Sequence, residues 1–288
     1  MWQDVPSSSR VTRSGDRAKG LGNMGMVRRF AGAAAAVGLV GVLLAAQPAL
    51  AATVTNGGFE TGDFTGWTVN EQAESDGTWS VYTGTTTPES QHDIDAPPCD
   101  THAAIFDQED PSSAVLYQDL TLEAGDTHTL TFTHYYRNYA TVGGEETKPG
   151  VSQPQADTPL WASPATLDYT IKDDNQQYRV DIMKPTADPT SVDAADILKT
   201  VFQTEPGDPA DLAPTPVTVD LSAFAGQTVR LRFAAVDNDF YLNVGVDCVQ
   251  LTSTPIPTST SSTTTTTAPS TTTTTAPVAV QAEPAFTG

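Results

Sequence analysis

Residues 217–251 read Val217-Thr-Val-Asp220-Leu-Ser-Ala-Phe-Ala-Gly226-Gln-Thr-Val-Arg-Leu-Arg-Phe233-Ala-Ala-Val-Asp237-Asn-Asp-Phe-Tyr-Leu-Asn-Val-Gly-Val-Asp247-Cys-Val-Gln-Leu251. Apolar and other residues alternate from Thr228 to Ala235, and a period of two places the two sets on opposite faces of a strand. Asp237-Asn238-Asp239 has the composition of a turn. The stretch therefore predicts three strands with one apolar face, which must pack on something, and a second sheet is the obvious partner.

Short strand-like runs separated by turn clusters continue back along the chain, with no convincing helical period. This pattern favours an all-β protein, a two-sheet antiparallel jelly-roll sandwich. Ala124-Gly125-Asp126 is typical of a hairpin turn, and two loop-like stretches, 143–164 and 185–216, interrupt the rhythm. The strand candidates are Thr78 to Tyr82, Thr101 to Phe106, Ala114 to Leu122, Thr127 to Tyr136, Ala165 to Ile171, Gln177 to Met183 and a short helix or strand at Ala194 to Phe202.

Both ends of the chain have the composition of non-core segments. Arg28-Arg29, the apolar run that follows and the Ala49-Leu50-Ala51 motif predict a cleaved signal peptide within residues 1–51, with a membrane anchor as the alternative. Residues 253–288 are Thr/Ser/Pro-rich and predict a flexible or glycosylated stalk. We therefore expect one domain, residues 52–252, in a secreted or extracellular protein.

Charge limits the choice of partner. The chain has a formal net charge of −21, and residues 52–288 hold 8 basic and 33 acidic residues. Phosphate binding needs Lys and Arg, so the composition disfavours nucleic acid and anionic membranes as partners. The many carboxylates offer oxygen ligands to hard cations such as calcium.

Two motifs in this sequence carry a family resemblance. The first is Asn56-Gly-Gly-Phe59-Glu60 followed by Gly66-Trp67, and the second runs from Val219-Asp220-Leu221-Ser222 through Ala225–Phe233 to Val246-Asp247-Cys248-Val249. Together they resemble the first and last strands of galactose-binding-like jelly rolls, which include several carbohydrate-binding module families and many bacterial surface proteins. The resemblance covers both ends of residues 54–251 and implies a fold more firmly than a function.

The resemblance also implies a metal site. In related modules a structural calcium lies between the first and last strands, held by the Glu of the Phe-Glu pair and by an Asp of the final strand. Glu60 and Asp247 match these positions, whereas Cys248 replaces a second Asp. The alternative is that both are edge residues that accept hydrogen bonds from turns. Asp237, Asn238 and Asp239 offer a second metal site, against the simpler interpretation of a plain turn.

Cys99 and Cys248 are the only cysteines in the chain. In an oxidising compartment an even pair is most simply one disulfide. The other interpretation, a reactive thiol, needs a basic neighbourhood that the sequence does not show.

Strand parity predicts a ligand-binding face opposite the apolar residues. Tyrosine beside charged hydrogen-bonding groups is suited to sugar recognition, because the ring packs on the pyranose and the charged groups bind its hydroxyls. The alternative is a solvated face of cross-strand ion pairs. The candidate ligand residues are Tyr117, Tyr135, Arg137, Arg179, Arg230 and Arg232, with Asp168 and Asp181 between them and Trp161 or Tyr139 as further stacking residues.

We expect a secreted or cell-surface, non-catalytic binding module, for a polysaccharide or cell-surface glycan, that acts as a monomer. The first alternative is a structural or adhesive protein that acts through protein contacts. An exported hydrolase is the second alternative, although no nucleophile or metalloprotease motif is present. Pro284-Ala-Phe-Thr-Gly288 resembles a degenerate sortase signal and implies attachment to a cell wall, against the alternatives of a chance match or a truncated reading frame.

Overall fold

The computed structural model describes residues 53–143 and 158–257. Within these ranges the protein is built from ten β-strands and one short 3₁₀ helix, Ser222–Phe224, and contains no helix long and apolar enough to cross a membrane. The predicted signal peptide and most of the predicted stalk lie outside the described residues. The strands are β1 (Thr68–Glu71), β2 (Thr78–Tyr82), β3 (Ala103–Asp107), β4 (Ser112–Thr121), β5 (Asp126–Asn138), β6 (Gln177–Met183), β7 (Ile197–Gln203), β8 (Asp211–Asp220), β9 (Thr228–Asp237) and β10 (Leu242–Pro255).

The strands form two five-stranded antiparallel sheets. The first sheet has the order β1-β4-β9-β6-β7 and the second sheet the order β2-β3-β10-β5-β8. The two sheets pack face to face, so the prediction of an all-β, two-sheet antiparallel sandwich is confirmed. The last strand, β10, lies at the centre of the second sheet and extends to Pro255, beyond the predicted domain boundary at residue 252.

Alternating residues of both sheets fill the core. Leu231 and Phe233 of β9 face Phe132 of β5 and Val244 of β10 across the interior, and all four are at most 1% exposed. The predicted alternation of inward and outward residues along β9 is therefore confirmed.

Two local predictions are wrong. Ala124-Gly125-Asp126 does not close a hairpin, because β4 and β5 belong to different sheets and this turn carries the chain from one sheet to the other. Ala165 to Ile171 is not a strand. Its apolar residue Leu167 instead packs on the outer face of the first sheet, beside Val115 and Val236.

The loop-like stretch 185–216 contains more regular structure than its composition predicts. Both β7 and β8 lie within or begin in it, which settles the helix-or-strand question at Ala194 to Phe202 in favour of a strand. Residues 185–191, which we call the strap, remain irregular and cross the outer face of the first sheet. Part of the other loop-like stretch, residues 144–157, lies outside the described residues.

Candidate functional site

The predicted ligand residues do not share a face. Tyr117, Arg179, Arg230 and Arg232 lie on the outer face of the first sheet, whereas Tyr135 and Arg137 lie on the outer face of the second sheet. Trp161 is 3% exposed in the core, where its indole donates to Pro209 O at 3.1 Å. The prediction of a single recognition face is therefore wrong, because parity tells inward from outward but not which of two sheets a strand joins.

The three arginines of the first sheet are bound to the protein itself. Arg179 makes a bidentate ion pair with Asp181, at 2.7 and 3.0 Å, and Arg230 makes another with Asp119, at 2.7 and 3.1 Å. Arg232 donates to Asp181. Arg230 and Arg232 also donate to strap carbonyls, those of Pro185, Ala187, Pro189 and Ser191. These guanidinium groups fix the strap on the sheet and have few donors left for a ligand.

The two tyrosines of the predicted set are also engaged. Tyr135 is fully buried, and its hydroxyl is hydrogen-bonded to that of Tyr82. Burial raises the pKa of Tyr135 well above its ordinary value. Tyr117 is half-buried beneath the Arg230 guanidinium, 4.2 Å from the ring centre, in a cation–π contact. In this structure a sugar cannot reach the Tyr135 ring, and Arg230 already covers a face of Tyr117.

Glu60 and Asp247 both bind the turn at residues 99–102, and the charge of Glu60 helps to raise the pKa of Asp247, so we call them the carboxylate pair. Glu60 Oε1 accepts from the backbone N–H groups of Thr101 and His102, at 3.0 and 2.8 Å. Asp247, which is fully buried, accepts from the N–H groups of Cys99 and Cys248, at 2.8 and 2.6 Å. Asp247 therefore holds the turn at residues 99–102 against the last strand, and Glu60 ties the same turn to the loop before β1, as the hydrogen-bonding alternative expects.

The electrostatics of the two carboxylates differ. The backbone hydrogen bond from His102 is the main reason that the pKa of Glu60 lies below its usual value. Burial raises the pKa of Asp247 to about 6, against the lowering effect of its two N–H donors, and the nearby negative charges of Glu60 and Asp100 add to the rise. A buried carboxylate beside a second one is a site where a cation would be stabilising.

Calcium fits this donor set by ligand type. Each carboxylate oxygen has lone pairs beyond those used by the N–H groups, and calcium takes six to eight oxygens. The sulfur atoms of Cys99 and Cys248 lie near Asp247, but they are joined in a disulfide and are not thiolate ligands. The disulfide spans a Cα–Cα distance of 5.7 Å and links the same turn to β10.

A second acidic site lies at the opposite end of β3. A cavity of about 250 Å³, which we call the loop-end cleft, is lined by residues 108–111, 237 and 239–241. Asp237 is 2% exposed and Gln108 is 1% exposed, and buried polar atoms of both side chains have no hydrogen-bond partner. Burial raises the pKa of Asp237 well above its ordinary value, and Asp239 adds to the rise.

Aromatic rings border this cleft and form what we call the aromatic patch: His92, Tyr139 and Tyr241. His92 stacks on Tyr139 with ring centres 4.3 Å apart and meets the edge of Tyr241 at 4.5 Å. All three side chains are half-buried, and Tyr241 belongs to both the patch and the cleft. Arg137, from the predicted ligand set, lies beside the patch and donates to Asp93 O at 2.9 Å.

A larger cavity of about 460 Å³ lies between β6, β7 and residues 163–165 and 192–194. Arg179 lines it, but its charge is already paired with Asp181. Its lining contains no aromatic ring. The loop-end cleft and the aromatic patch therefore have the better chemistry for a polar ligand with flat apolar faces.

Sequence reasoning missed most of this site. The Asp237-Asn238-Asp239 turn is visible in the sequence, and Phe240-Tyr241 directly after it is the signal for an aromatic loop. His92 and Gln108 give no local signal, because the fold brings them to the same end of the sandwich from separate loops.

Comparison with known proteins finds a distant likeness among solved structures. No family model and no curated protein matches the sequence. Among solved structures, the protein is similar to TmCBM61, solved in complex with beta-1,4-galactotriose, at 11% identity over 69% of this chain and 95% of that chain, with a TM-score of 0.37. It is also similar to the K3 cleaved adhesin domain of Lys-gingipain from Porphyromonas gingivalis, at 18% identity over 69% and 96% of the two chains, with a TM-score of 0.39.

The structural neighbours include enzymes as well. A Stig cyclase from Fischerella is 19% identical, over 72% of this chain and 99% of that chain, with a TM-score of 0.38. A likeness at this level says nothing about what the present protein binds or whether it is a catalyst.

Proposed function

We propose that the protein is a secreted or cell-surface binding module that takes a carbohydrate at the loop-end cleft and the aromatic patch, without catalysing a reaction. The observation that carries the proposal is the ring of Tyr241, half-exposed between the stack of His92 and Tyr139 and an acidic cleft. An aromatic ring packs on the apolar face of a sugar, and neighbouring carboxylates accept hydrogen bonds from its hydroxyls.

The test is binding of the purified protein to a glycan array, followed by titration of the best glycan. Tyr241→Ala removes the ring shared by patch and cleft and should weaken binding at least about tenfold, since a stacking contact and its buried area are lost. Tyr117→Ala is the matched control, because it removes a half-buried tyrosine on the outer face of the first sheet. Its binding should equal that of the unmodified protein.

Two results would contradict the proposal. If Tyr117→Ala abolished binding and Tyr241→Ala did not, the site would lie on the outer face of the first sheet. If a folded protein, checked by its melting temperature, bound no glycan, the structural or adhesive role would replace the carbohydrate role. Release of shorter saccharides from a bound glycan would instead indicate a hydrolase.

We also propose that the carboxylate pair holds a structural calcium ion. The support is chemical: Asp247 is buried, it accepts hydrogen bonds from two backbone N–H groups, and the charge of Glu60 helps to raise its pKa. Glu60 also has a basic neighbour, since His102 Nδ1 lies 3.2 Å from Glu60 Oε2. Calcium should raise the melting temperature over that in chelator, and Glu60→Gln should reduce this difference. Equal melting temperatures with calcium and with chelator would leave the pair with its hydrogen-bonding role alone.

A further inference from the structure

The interior of the sandwich ends in polar groups at the loop-end cleft. Leu231, Phe233 and Ala235 of β9 point into the core, and Asp237 is the next residue on that face. Asp237 therefore continues an apolar row into the space between the two sheets. Its Oδ2 atom is buried and has no hydrogen-bond partner.

Gln108 enters the same space from the other sheet. It follows Phe106, a core residue of β3, by two positions and lines the cleft together with Asp237. Neither its amide oxygen nor its amide nitrogen has a hydrogen-bond partner. A Cβ atom on Gly77 would lie 2.2 Å from Gln108 Cβ, so the Gly77 backbone packs tightly behind this side chain.

A buried amide and a buried carboxylate without partners are both unfavourable. Most buried polar atoms in native proteins are hydrogen-bonded, and an ionised carboxylate out of water needs a compensating charge. Here two such groups line one cavity. This is the arrangement expected when the missing partner is a ligand of the protein.

The charges of the residues that line the cleft indicate the sign of the charge on that ligand. Asp237, Asp239, Glu109 and Asp110 all line the cleft, and the described lining residues include no Lys, Arg or His. The available donors are carboxylate and amide oxygens, with no thiolate or imidazole among them. Oxygen donors of this kind select hard divalent cations over zinc or copper.

We propose that the loop-end cleft binds a divalent cation of the calcium type through Asp237, Asp239 and the amide oxygen of Gln108. This site is separate from the carboxylate pair and does not depend on the carbohydrate proposal. The cation neutralises Asp237 and gives the Gln108 oxygen a partner. With few protein ligands, its affinity belongs in the weak range of extracellular calcium modules, at about 0.1–1 mM.

The experiment is calcium titration of the full protein by calorimetry, with bound ions counted by native mass spectrometry and no glycan present. Asp237→Asn should lower the number of bound calcium ions by one, and Gln108→Leu should weaken the same ion at least about tenfold. Asp220→Asn is the matched control, because it removes an exposed carboxylate that accepts a hydrogen bond from Ser222 and lines neither the loop-end cleft nor the carboxylate pair. It should leave the number of bound calcium ions unchanged.

The contrary result is an Asp237→Asn protein that binds as many calcium ions, with the same affinities, as the unmodified protein. The proposal would also fail if the unmodified protein bound no calcium at about 10 mM, a concentration well above the expected dissociation constant. In that case Asp237 would be kept neutral by a proton. If Asp237→Asn does not fold, Asp239→Asn provides the same comparison from a half-buried position. If the unmodified protein binds calcium at the loop-end cleft but binds no glycan in the separate glycan test, only the carbohydrate proposal is contradicted.

Discussion

Arg232 and Asp181 form an ion pair on the outer face of the first sheet in which neither side chain is exposed, with Arg232 Nη2 2.5 Å from Asp181 Oδ2. An outward-facing pair is ordinarily solvated. Here the strap covers it, and Arg232 donates to the strap carbonyls of Pro189 and Ser191 at 2.7 and 2.6 Å. Burial lowers the pKa of Arg232, and the charge of Asp181 opposes that shift.

Removal of the acidic partner should therefore be strongly destabilising. Asp181→Ala leaves the buried Arg232 uncompensated, and we expect a loss of about 3–5 kcal/mol in the free energy of unfolding. Asp119→Ala is the matched control, because Asp119 also pairs with an arginine but its side chain is 41% exposed. The control should lose less, about 1–3 kcal/mol, because Asp119 is exposed although its partner Arg230 is buried. Urea unfolding measures both losses, and equal losses for the two variants would refute the structural role of the pair.

The disulfide should contribute more to stability than any single surface contact. Cys99 and Cys248 are separated by 149 residues, and closing so long a loop restricts the unfolded chain. On the chain-entropy model the double variant Cys99→Ser/Cys248→Ser should lose about 4–5 kcal/mol of unfolding free energy. Denaturant titration of the variant and of the oxidised protein tests this expectation, which fails if their unfolding midpoints coincide.

His134 should make the protein sensitive to mild acid. It is 2% exposed among aromatic rings, 4.6 Å from Phe202 and 5.7 Å from Tyr178, and its Nδ1 has no hydrogen-bond partner. Burial lowers the pKa of His134 from 6.5 to about 4. Between those pH values the unfolded chain binds the proton more readily, so stability is lost as the pH falls, by up to about 3 kcal/mol.

His134→Leu should remove this part of the pH dependence. The variant loses ring contacts at every pH, so the informative quantity is the change in unfolding free energy between pH 7.5 and pH 4.5. We expect that change to be smaller in His134→Leu than in the unmodified protein. Parallel pH profiles for the two proteins would show that His134 is not the group responsible.

Gly245 is the position on β10 least able to accept a side chain. It lies directly opposite Tyr135 on β5, and a Cβ atom there would be 2.0 Å from the Tyr135 ring. Gly245→Ala should therefore destabilise by about 3 kcal/mol, at the upper end of overpacking effects, because the buried ring has no room to move.

Two further variants test that explanation. In Gly58→Ala the new Cβ would meet nothing nearer than 3.7 Å, so its thermal unfolding should be almost unchanged. Tyr135→Leu in the Gly245→Ala background should recover part of the lost stability, and purely additive effects would mean that the two residues do not interact.

The sequence predicts the sandwich well because alternation is a local property. Gln177–Met183 and Thr78–Tyr82 are predicted with the bounds that the structure has, and the inward residues of β9 are the core residues. The pairing of strands into sheets is not local, so Tyr135 and Arg230 could not be assigned to different faces. The burial of Arg232 depends on the strap, whose Pro/Thr-rich sequence carries no sign of where it packs.

The candidate site is less predictable than the fold for the same reason. Tyr241 follows a turn that the sequence marks with Asp237 and Asp239, but His92 and Gln108 reach it from loops more than a hundred residues earlier. Glu60 and Asp247 could be paired only through a family resemblance. Their hydrogen bonds to the turn at residues 99–102 are visible only in three dimensions.

The position of β10 bears on how the protein would resist mechanical force. A pull on the chain beyond Pro255 acts along a central strand, so its bonds to β5 must shear together and cannot open one at a time like a zipper. If the end of β10 did detach from β5, the extension of the chain would stop at Cys248. The disulfide would there transmit the force to Cys99, in the turn before β3. A domain tethered by its C-terminal end would thus keep the loop-end cleft, which β10 adjoins at Leu242, intact under tension.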